Sequence, residues 1–138
     1  MVYILDTDHV SLLQRGQQSV IDSLSRVDIA YRAVTIITIA EQVQGRLAVI
    51  RRARIESEAA RAFASLQATI AFYQSIRVLP YNEEAQSIFA QFRQQKIRVG
   101  TQDLRIAAIA LSYRATLITR NRKDFDQIPG LMLTDWSH

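Results

Sequence analysis

The chain has 138 residues, a length typical of one compact domain, and hydrophobic residues make up 49% of it, enough for a sizeable core. It has neither a cysteine nor a run of 18 apolar residues, which excludes disulfides, thiolate metal sites and a membrane-spanning helix. Its 17 basic residues outnumber its 13 acidic ones, and nearly all of them are arginine, which binds phosphate bidentately.

The first elements predict a strand followed by short helices. Val2–Leu5 is a short apolar run, typical of a buried strand. The start, MVYILDTDHV, has no basic region and no long apolar stretch, so it is not expected to be a signal peptide, and we expect a cytoplasmic protein. Asp8 is predicted to cap a helix over 9–15, and a second helix is predicted over 19–26. The β-branched run 29–37 predicts the second strand.

A long helical stretch follows, from a predicted capping box at Thr38–Glu41 to about Gln74. A break near Arg51–Arg52 predicts two helices folded back as a hairpin. The apolar residues of its second half recur at helical spacing, and we expect most of them to pack in the core. They are Ile55, Ala59, Ala62, Phe63, Leu66, Ile70 and Tyr73.

The rest of the chain continues the alternation of strands and helices. Asn82 and Asn121 are predicted to cap helices, and Gly100-Thr101 is predicted to open one. The predicted elements are strand 76–79, helix 82–96, helix 102–113, strand 116–119, a short helical turn through Phe125 and strand 131–133. This order predicts one α/β domain over residues 1–138, a three-layer sandwich with a mainly parallel sheet of four or five strands flanked by helices.

Acidic residues follow four of the predicted strands or open the helices after them. They are Asp6 and Asp8, Glu41, Asp103 and Asp124. Because parallel strands end at one edge of a sheet, these carboxylates are expected to converge there. Clustered carboxylates repel one another, and Mg²⁺ or Mn²⁺, one ion or two, is the natural counter-charge.

Most of these acids also have a purely structural explanation. Asp8 and Asp124 can cap helices, and Glu41 can complete a capping box. Asp103 can stabilise the first turn of a helix through the helix dipole. Asp6 is harder to explain in this way, because an unpaired carboxylate at the end of a buried strand is costly. Polar side chains that flank the acids can orient ligands, namely Thr7, Thr38, Thr119 and Asn121.

An acidic cluster of this kind supports phosphodiester hydrolysis, in which bound metal activates water and neutralises charge on the phosphate. Other catalytic arrangements have little support. No cysteine nucleophile exists, the four glycines form no phosphate-binding loop, and the only two histidines, His9 and His138, lie at opposite ends of the sequence.

Three segments of the chain resemble the PIN-domain ribonucleases of the VapC type, the toxins of type II toxin–antitoxin pairs. They are ILDTDHVSLL near the start, TIITIAEQVQGRL in the middle, and GTQDLRIAAIALSYRATLITRNRKDFDQIPGLMLTDW near the end. The last is the most specific, and the resemblance extends from end to end of the sequence.

The resemblance implies a PIN fold with an acidic pocket that binds Mg²⁺ or Mn²⁺ and cleaves RNA internally. Matched by position, Asp6, Glu41 and Asp103 are the metal-binding acids, with Glu41 binding directly or through water. The fourth corner falls on Asn121 where the family often has an acid. Asn121 can bind the metal or hold a water, and Asp124, one turn further on, is the candidate for a fourth catalytic and metal-binding acid. Asp8 is expected to orient a ligand or cap the helix.

The resemblance also implies RNA as substrate, a VapB-like antitoxin as partner and a homodimer. No membrane partner is expected, because the sequence has no apolar run long enough to span one. The predicted hairpin at 41–74 is a plausible part of the antitoxin groove. Because an acidic pocket repels RNA, nearby arginines are needed to attract the backbone. The candidates are Arg46, Arg98, Arg105, Arg120 and Arg122.

Three other functions remain open from the sequence. Asp6-Thr7-Asp8 fits the start of a haloacid-dehalogenase-type phosphohydrolase, in which one aspartate is the nucleophile. A response-regulator-like domain also carries acids after its first strand, but here no aspartate follows the third strand. A PIN fold that has lost catalysis with its fourth acid would be a non-enzymatic interaction module.

Overall fold

The computed structural model describes residues 1–138, which form five strands and seven α-helices. The strands are β1 Tyr3–Leu5, β2 Arg32–Thr35, β3 Arg77–Leu79, β4 Thr116–Ile118 and β5 Met132–Thr134. The helices are α1 Thr7–Gln14, α2 Gln18–Ser25, α3 Ile36–Arg52, α4 Glu56–Tyr73, α5 Glu83–Gln94, α6 Thr101–Ser112 and α7 Arg122–Phe125. None of the helices is both long and apolar enough to cross a membrane.

The five strands form one sheet in the order β3-β2-β1-β4-β5, and every pairing is parallel. In the central strand, Ile4 lies opposite Ala33 of β2 and Leu117 of β4. The chain builds outward from β1 in one direction and later returns to its other side. This places a topological switch point beside β1, where open α/β sheets bind ligands at the carboxyl ends of their strands. The predicted parallel α/β fold is confirmed.

Side chains of β1 alternate between two apolar clusters, one on each face of the sheet. Ile4 belongs to the cluster covered by α5 and α6, which includes Leu104 and Phe92. Leu5 belongs to the cluster covered by α1 and α2, which includes Val20. The sheet is therefore the middle of three layers, as predicted, and its buried strands fix where the residues that follow them emerge.

The predicted helix starts at two strand ends were wrong. Asp6, rather than Asp8, caps α1, because its carboxylate accepts a hydrogen bond from the backbone N–H of His9. Thr35, rather than Thr38, caps α3 by accepting from the N–H of Thr38. The strand predicted over 29–37 is therefore short, and Glu41 lies beyond the first turn, outside any capping box.

The predicted hairpin is confirmed, with α3 and α4 separated by residues 53–55. Its apolar residues are less buried than expected. Ala62 and Tyr73 are buried, but Ile55, Phe63 and Ile70 are 59%, 56% and 50% exposed. The spacing predicted the helix correctly, but α4 packs mainly on α3 and leaves part of its apolar surface in solvent.

Candidate active site

The carboxyl ends of β1, β2 and β4 surround a cleft of about 570 Å³. Asp6 and Asp8 reach it from the start of α1, Glu41 from α3, and Asp103 from the first turn of α6. The full lining is Asp6, Thr7, Asp8, Glu41, Asp103, Arg120, Asn121 and Phe125. Residues that are distant in sequence thus meet at the edge where the sheet gathers its strand ends.

Asp6 is held tightly although it lies at the cleft. Only 7% of the residue is exposed, and its backbone N–H continues the sheet by donating to the carbonyl of Ile118 at 3.0 Å. Its Oδ1 accepts from the backbone N–H of His9 at 2.8 Å and lies 3.1 Å from Nδ1 of the same histidine. Its Oδ2 makes no hydrogen bond within the protein and is left for a ligand.

Glu41 is oriented by a chain of hydroxyl groups. The Thr7 hydroxyl donates to Glu41 Oε1 at 2.7 Å. Because the hydroxyl of Thr7 has only one hydrogen, the 3.0 Å contact between Thr7 Oγ1 and Thr38 Oγ1 must be a bond donated by Thr38. Thr7 and Thr38 therefore hold the carboxylate of Glu41 against α1 and leave Oε2 free.

Asp103 has no hydrogen-bond or ion-pair partner in the protein. Burial, the largest cause, and the negative charges of Glu41, Asp6 and Asp124 together raise its pKa from 3.8 to about 6. The three neighbouring carboxylates therefore disfavour the charged form of Asp103 unless a cation binds in the cleft.

The fourth corner of the cleft is shared by Asn121 and Asp124. The Asn121 side chain donates to Asp124 Oδ2 at 3.1 Å and caps α7 by accepting from the N–H of Asp124. The N–H of Asn121 in turn donates to the buried hydroxyl oxygen of Thr119 at 3.0 Å. Asn121 lines the cleft, whereas Asp124 lies behind it and acts on Asp103 through charge.

Of the five arginines predicted to attract RNA, only Arg120 lines the cleft. Its Nε and Nη2 donate to the two oxygens of Asp8 at 2.6 and 3.2 Å. Arg46 instead donates to Thr69 on the α3–α4 hairpin. The remaining three lie elsewhere: Arg98 is exposed without a partner, Arg105 stacks on Phe89 and bonds to Gln102, and Arg122 pairs loosely with Asp126.

Sequence reasoning missed two residues of this region. Phe125 forms the apolar wall of the cleft and is almost fully buried. His9 is completely buried directly behind Asp6, and its second ring nitrogen accepts from the N–H of Trp136. The available signal for His9 was its position three residues after Asp6 on a short helix, which places both on one face.

The donor set fits a hard divalent cation. Asp6, Asp8 and His9 offer ligand atoms that all lie within 4.8 Å of one another, with Glu41 and Asp103 on the walls of the same cleft. Both ring nitrogens of His9 are already engaged by Asp6 and Trp136, so the free ligand atoms are carboxylate oxygens. Oxygen ligands of this kind are those that Mg²⁺ and Mn²⁺ prefer.

Comparisons with known proteins place this arrangement in a family. A family model described as PIN domain matches residues 3–131. Ribonuclease VapC1 of Haemophilus influenzae strain R2866 is 30% identical over 143 residues, covering 99% of each chain. Ribonuclease VapC of Rickettsia bellii strain RML369-C is 29% identical over 135 residues, covering 95% of this chain and 93% of the relative. The solved structure of VapBC-1 from nontypeable Haemophilus influenzae matches with a TM-score of 0.79 and 26% identity over the whole of both chains.

Proposed function

The chain belongs to the PIN-domain family, among its VapC-type members, and from this premise we propose that it is a metal-dependent endoribonuclease, the toxin of a type II toxin–antitoxin pair. The matched relatives are named as ribonucleases and cover nearly the whole chain. The observation that carries the proposal is Asp103, an unpaired carboxylate with a pKa raised to about 6 that shares a cleft with Asp6 and Glu41. Such a cleft is suited to a cation and, through it, to a phosphodiester.

Asp6, Glu41 and Asp103 are the residues that would hold Mg²⁺ or Mn²⁺. When bound, the metal would lower the pKa of a coordinated water and neutralise charge on the phosphate oxygens. Asp6 and Glu41 each have one carboxylate oxygen that is hydrogen-bonded within the protein and one that is free. Both carboxylate oxygens of Asp103 are free. Asn121, steadied by Asp124 and Thr119, adds a neutral oxygen or amide at the fourth corner, where it would serve one ion or two.

Arg120 is the group best placed to receive the RNA backbone. Its Nη1 hydrogens remain free while Nε and Nη2 hold Asp8, so the guanidinium can donate to a phosphate at the rim of the cleft. Asp8 in turn fixes the direction of the guanidinium group.

The substrate is RNA, and we place the activity in the cytoplasm. The choice between transfer, messenger and ribosomal RNA depends on loops around the cleft.

The antitoxin is VapB-like, and its docking surface includes the α3–α4 hairpin. Phe63 and Ile70 on α4, with Ile55 directly before it, form an apolar strip that is half exposed and that a partner chain would cover. The toxin is a homodimer within this assembly.

The other functions considered from the sequence are less well supported. Family membership over residues 3–131 is evidence against a haloacid-dehalogenase or response-regulator domain. The experiment below distinguishes a PIN fold without catalytic activity from the main proposal.

The deciding experiment is a Mn²⁺ titration of the purified protein by calorimetry, combined with RNA cleavage assayed in Mg²⁺, in Mn²⁺ and in excess EDTA. We expect binding at one or two sites, and cleavage with either ion that stops in EDTA. Binding without cleavage of any RNA would indicate the non-enzymatic module. Full cleavage in EDTA, with contaminating nuclease excluded by a parallel preparation of Asp103→Asn, would refute metal dependence.

A further inference from the structure

His9 offers no free ligand atom to the cleft, yet its ring contacts one of the residues that would hold the metal. It is a polar side chain with no exposed surface, located between the cleft and the 135–137 segment. Its Nδ1 lies 3.1 Å from Asp6 Oδ1, and its Nε2 accepts a hydrogen bond from the backbone N–H of Trp136 at 3.2 Å. One imidazole ring therefore connects a proposed metal ligand to a segment that is 127 residues away in sequence.

The contact with Trp136 determines which ring nitrogen carries the hydrogen. A backbone N–H can only donate, so Nε2 must present its lone pair, and the hydrogen of the ring resides on Nδ1. Asp135 Oδ1 also lies 3.4 Å from Nε2, but the lone pair of Nε2 already accepts from the N–H of Trp136 at the shorter distance of 3.2 Å. In this tautomer Nδ1–H donates to Asp6 Oδ1.

These contacts fix one oxygen of the Asp6 carboxylate, Oδ1, in place. Oδ1 accepts two hydrogen bonds from His9, one from its backbone and one from its ring, which removes the freedom of the side chain to rotate. Oδ2 stays free at the cleft. Groups behind a metal ligand that orient it in this way typically change metal affinity or activity by about 10- to 100-fold.

The 135–137 segment is held in place by packing and hydrogen bonds, so it can fix the position of the His9 ring. Trp136 is buried in the cluster that contains Leu5 and Val10, and its ring centroid lies 5.8 Å from that of Tyr3. Gln17 donates from its side chain to the carbonyl of Ser137 at 2.7 Å. The N–H of Trp136 is thus held against His9 from both sides.

We propose that His9 is a positioning residue for Asp6, and that the 135–137 segment sets the tautomer of His9 through the N–H of Trp136. The inference rests on the proposed function in one respect, that Asp6 binds the metal. A buried histidine that served packing alone would contribute to stability without affecting the cleft. The two roles predict different results for variants that each keep one of the two hydrogen bonds.

The matched variants are His9→Asn and His9→Gln. The amide nitrogen of asparagine reaches the place of Nδ1 and keeps the donor to Asp6, whereas the amide of glutamine reaches the place of Nε2 and keeps an acceptor for Trp136. Both remove volume from the same buried site, so both should lower the melting temperature. We expect His9→Gln to weaken Mn²⁺ binding by about 10- to 100-fold, and His9→Asn to stay within about threefold of the unchanged protein.

Calorimetric Mn²⁺ titration and thermal melts of the three proteins test this. If both variants bind Mn²⁺ as the unchanged protein does, or if both lose affinity in proportion to their melting temperature, the positioning role is wrong. If the unchanged protein itself binds no Mn²⁺, the failure belongs to the proposed function instead.

Nitrogen NMR of the metal-free protein tests the tautomer without any variant. We expect His9 to show a protonated Nδ1 and a scalar coupling between its Nε2 and the amide nitrogen of Trp136. The exposed His138 serves as the internal reference. A hydrogen on Nε2 of His9, or no coupling to Trp136, would overturn the inference even if Mn²⁺ binds.

Discussion

Arg120 holds Asp8 with two hydrogen bonds, 2.6 Å from Nε to Oδ2 and 3.2 Å from Nη2 to Oδ1, across 112 residues of sequence. The pair joins the segment after β4 to the first turn of α1 at the rim of the acidic cleft. It leaves one edge of the guanidinium free. Both side chains are about half exposed, so the pair contributes at most about 1 kcal/mol to stability.

The first prediction follows from that free edge. Arg120→Gln should raise the KM for RNA by about tenfold with a smaller change in kcat, because a charge-assisted contact to the backbone is lost while the acids stay in place. The melting temperature should change little. Steady-state cleavage kinetics measure both constants, and Arg122→Gln, which alters an exposed arginine outside the cleft, is the matched control. An unchanged KM for Arg120→Gln would assign the pair to structure alone.

The second prediction concerns the metal-binding acids. Asp6→Asn and Asp103→Asn should each lower the rate of RNA cleavage by at least about 100-fold, since each removes a carboxylate that would hold the metal, and the metal would neutralise the phosphate. Both should fold, because asparagine also caps helices at position 6 and Asp103 makes no hydrogen bond. Circular dichroism and single-turnover cleavage are the measurements, with Asp126→Asn as an exposed control. Cleavage at the control's rate by either variant would remove that residue from the site.

The sequence predicted the layers of the fold and the meeting of the acids because both depend on patterns of several residues. Apolar runs of three or four residues marked the buried strands, and parallel order then brought Asp6, Glu41 and Asp103 to one edge. Helix starts were predicted less well, since each depends on one hydrogen bond. Thr35 and Thr38 are both able to cap, and only the geometry of the chain leaving β2 selects Thr35.

The role of His9 could not be predicted from the sequence. Its two partners come from the preceding turn and from residue 136, and nothing in the local pattern joins them. The same limit applied to Arg120, which was one of five candidate arginines until the fold paired it with Asp8. Pairwise contacts between distant segments are set by packing of the whole chain, which composition and periodicity do not specify.

The third prediction concerns the apolar strip on α4. Phe63→Asp should leave the melting temperature of the isolated protein within about 3 °C, because the side chain is 56% exposed and its replacement removes little buried surface. The same change should weaken binding of the antitoxin by at least about tenfold, since a charge would be buried at the interface. Calorimetric titration with a VapB-like antitoxin that binds the unchanged protein is the measurement. Ile29→Asp, at another exposed apolar position, should bind normally; equal losses in both variants would argue against the hairpin as the docking surface.

The fourth prediction uses the pKa of Asp103, which burial and three neighbouring acids raise from 3.8 to about 6. A carboxyl with a raised pKa favours the folded state when protonated, so its contribution is present below pH 4 and is lost as the pH rises through about 6. In EDTA, Asp103→Asn should therefore be more stable than the unchanged protein at pH 7.5, by about 1 kcal/mol after allowance for solvent screening, or roughly 3 °C.

That advantage should shrink towards zero as the pH is lowered to 4, because both proteins then carry an uncharged group at position 103. Saturating Mn²⁺ at pH 7.5 should reverse it, since the cation relieves the repulsion and stabilises only the protein that binds it. Thermal melts across this pH range, with and without Mn²⁺, are the measurement, and Asp126→Asn controls for the loss of a surface charge. A stability difference that does not depend on pH, or that Mn²⁺ leaves unchanged, would show that Asp103 neither carries the repulsion nor contributes to the metal site.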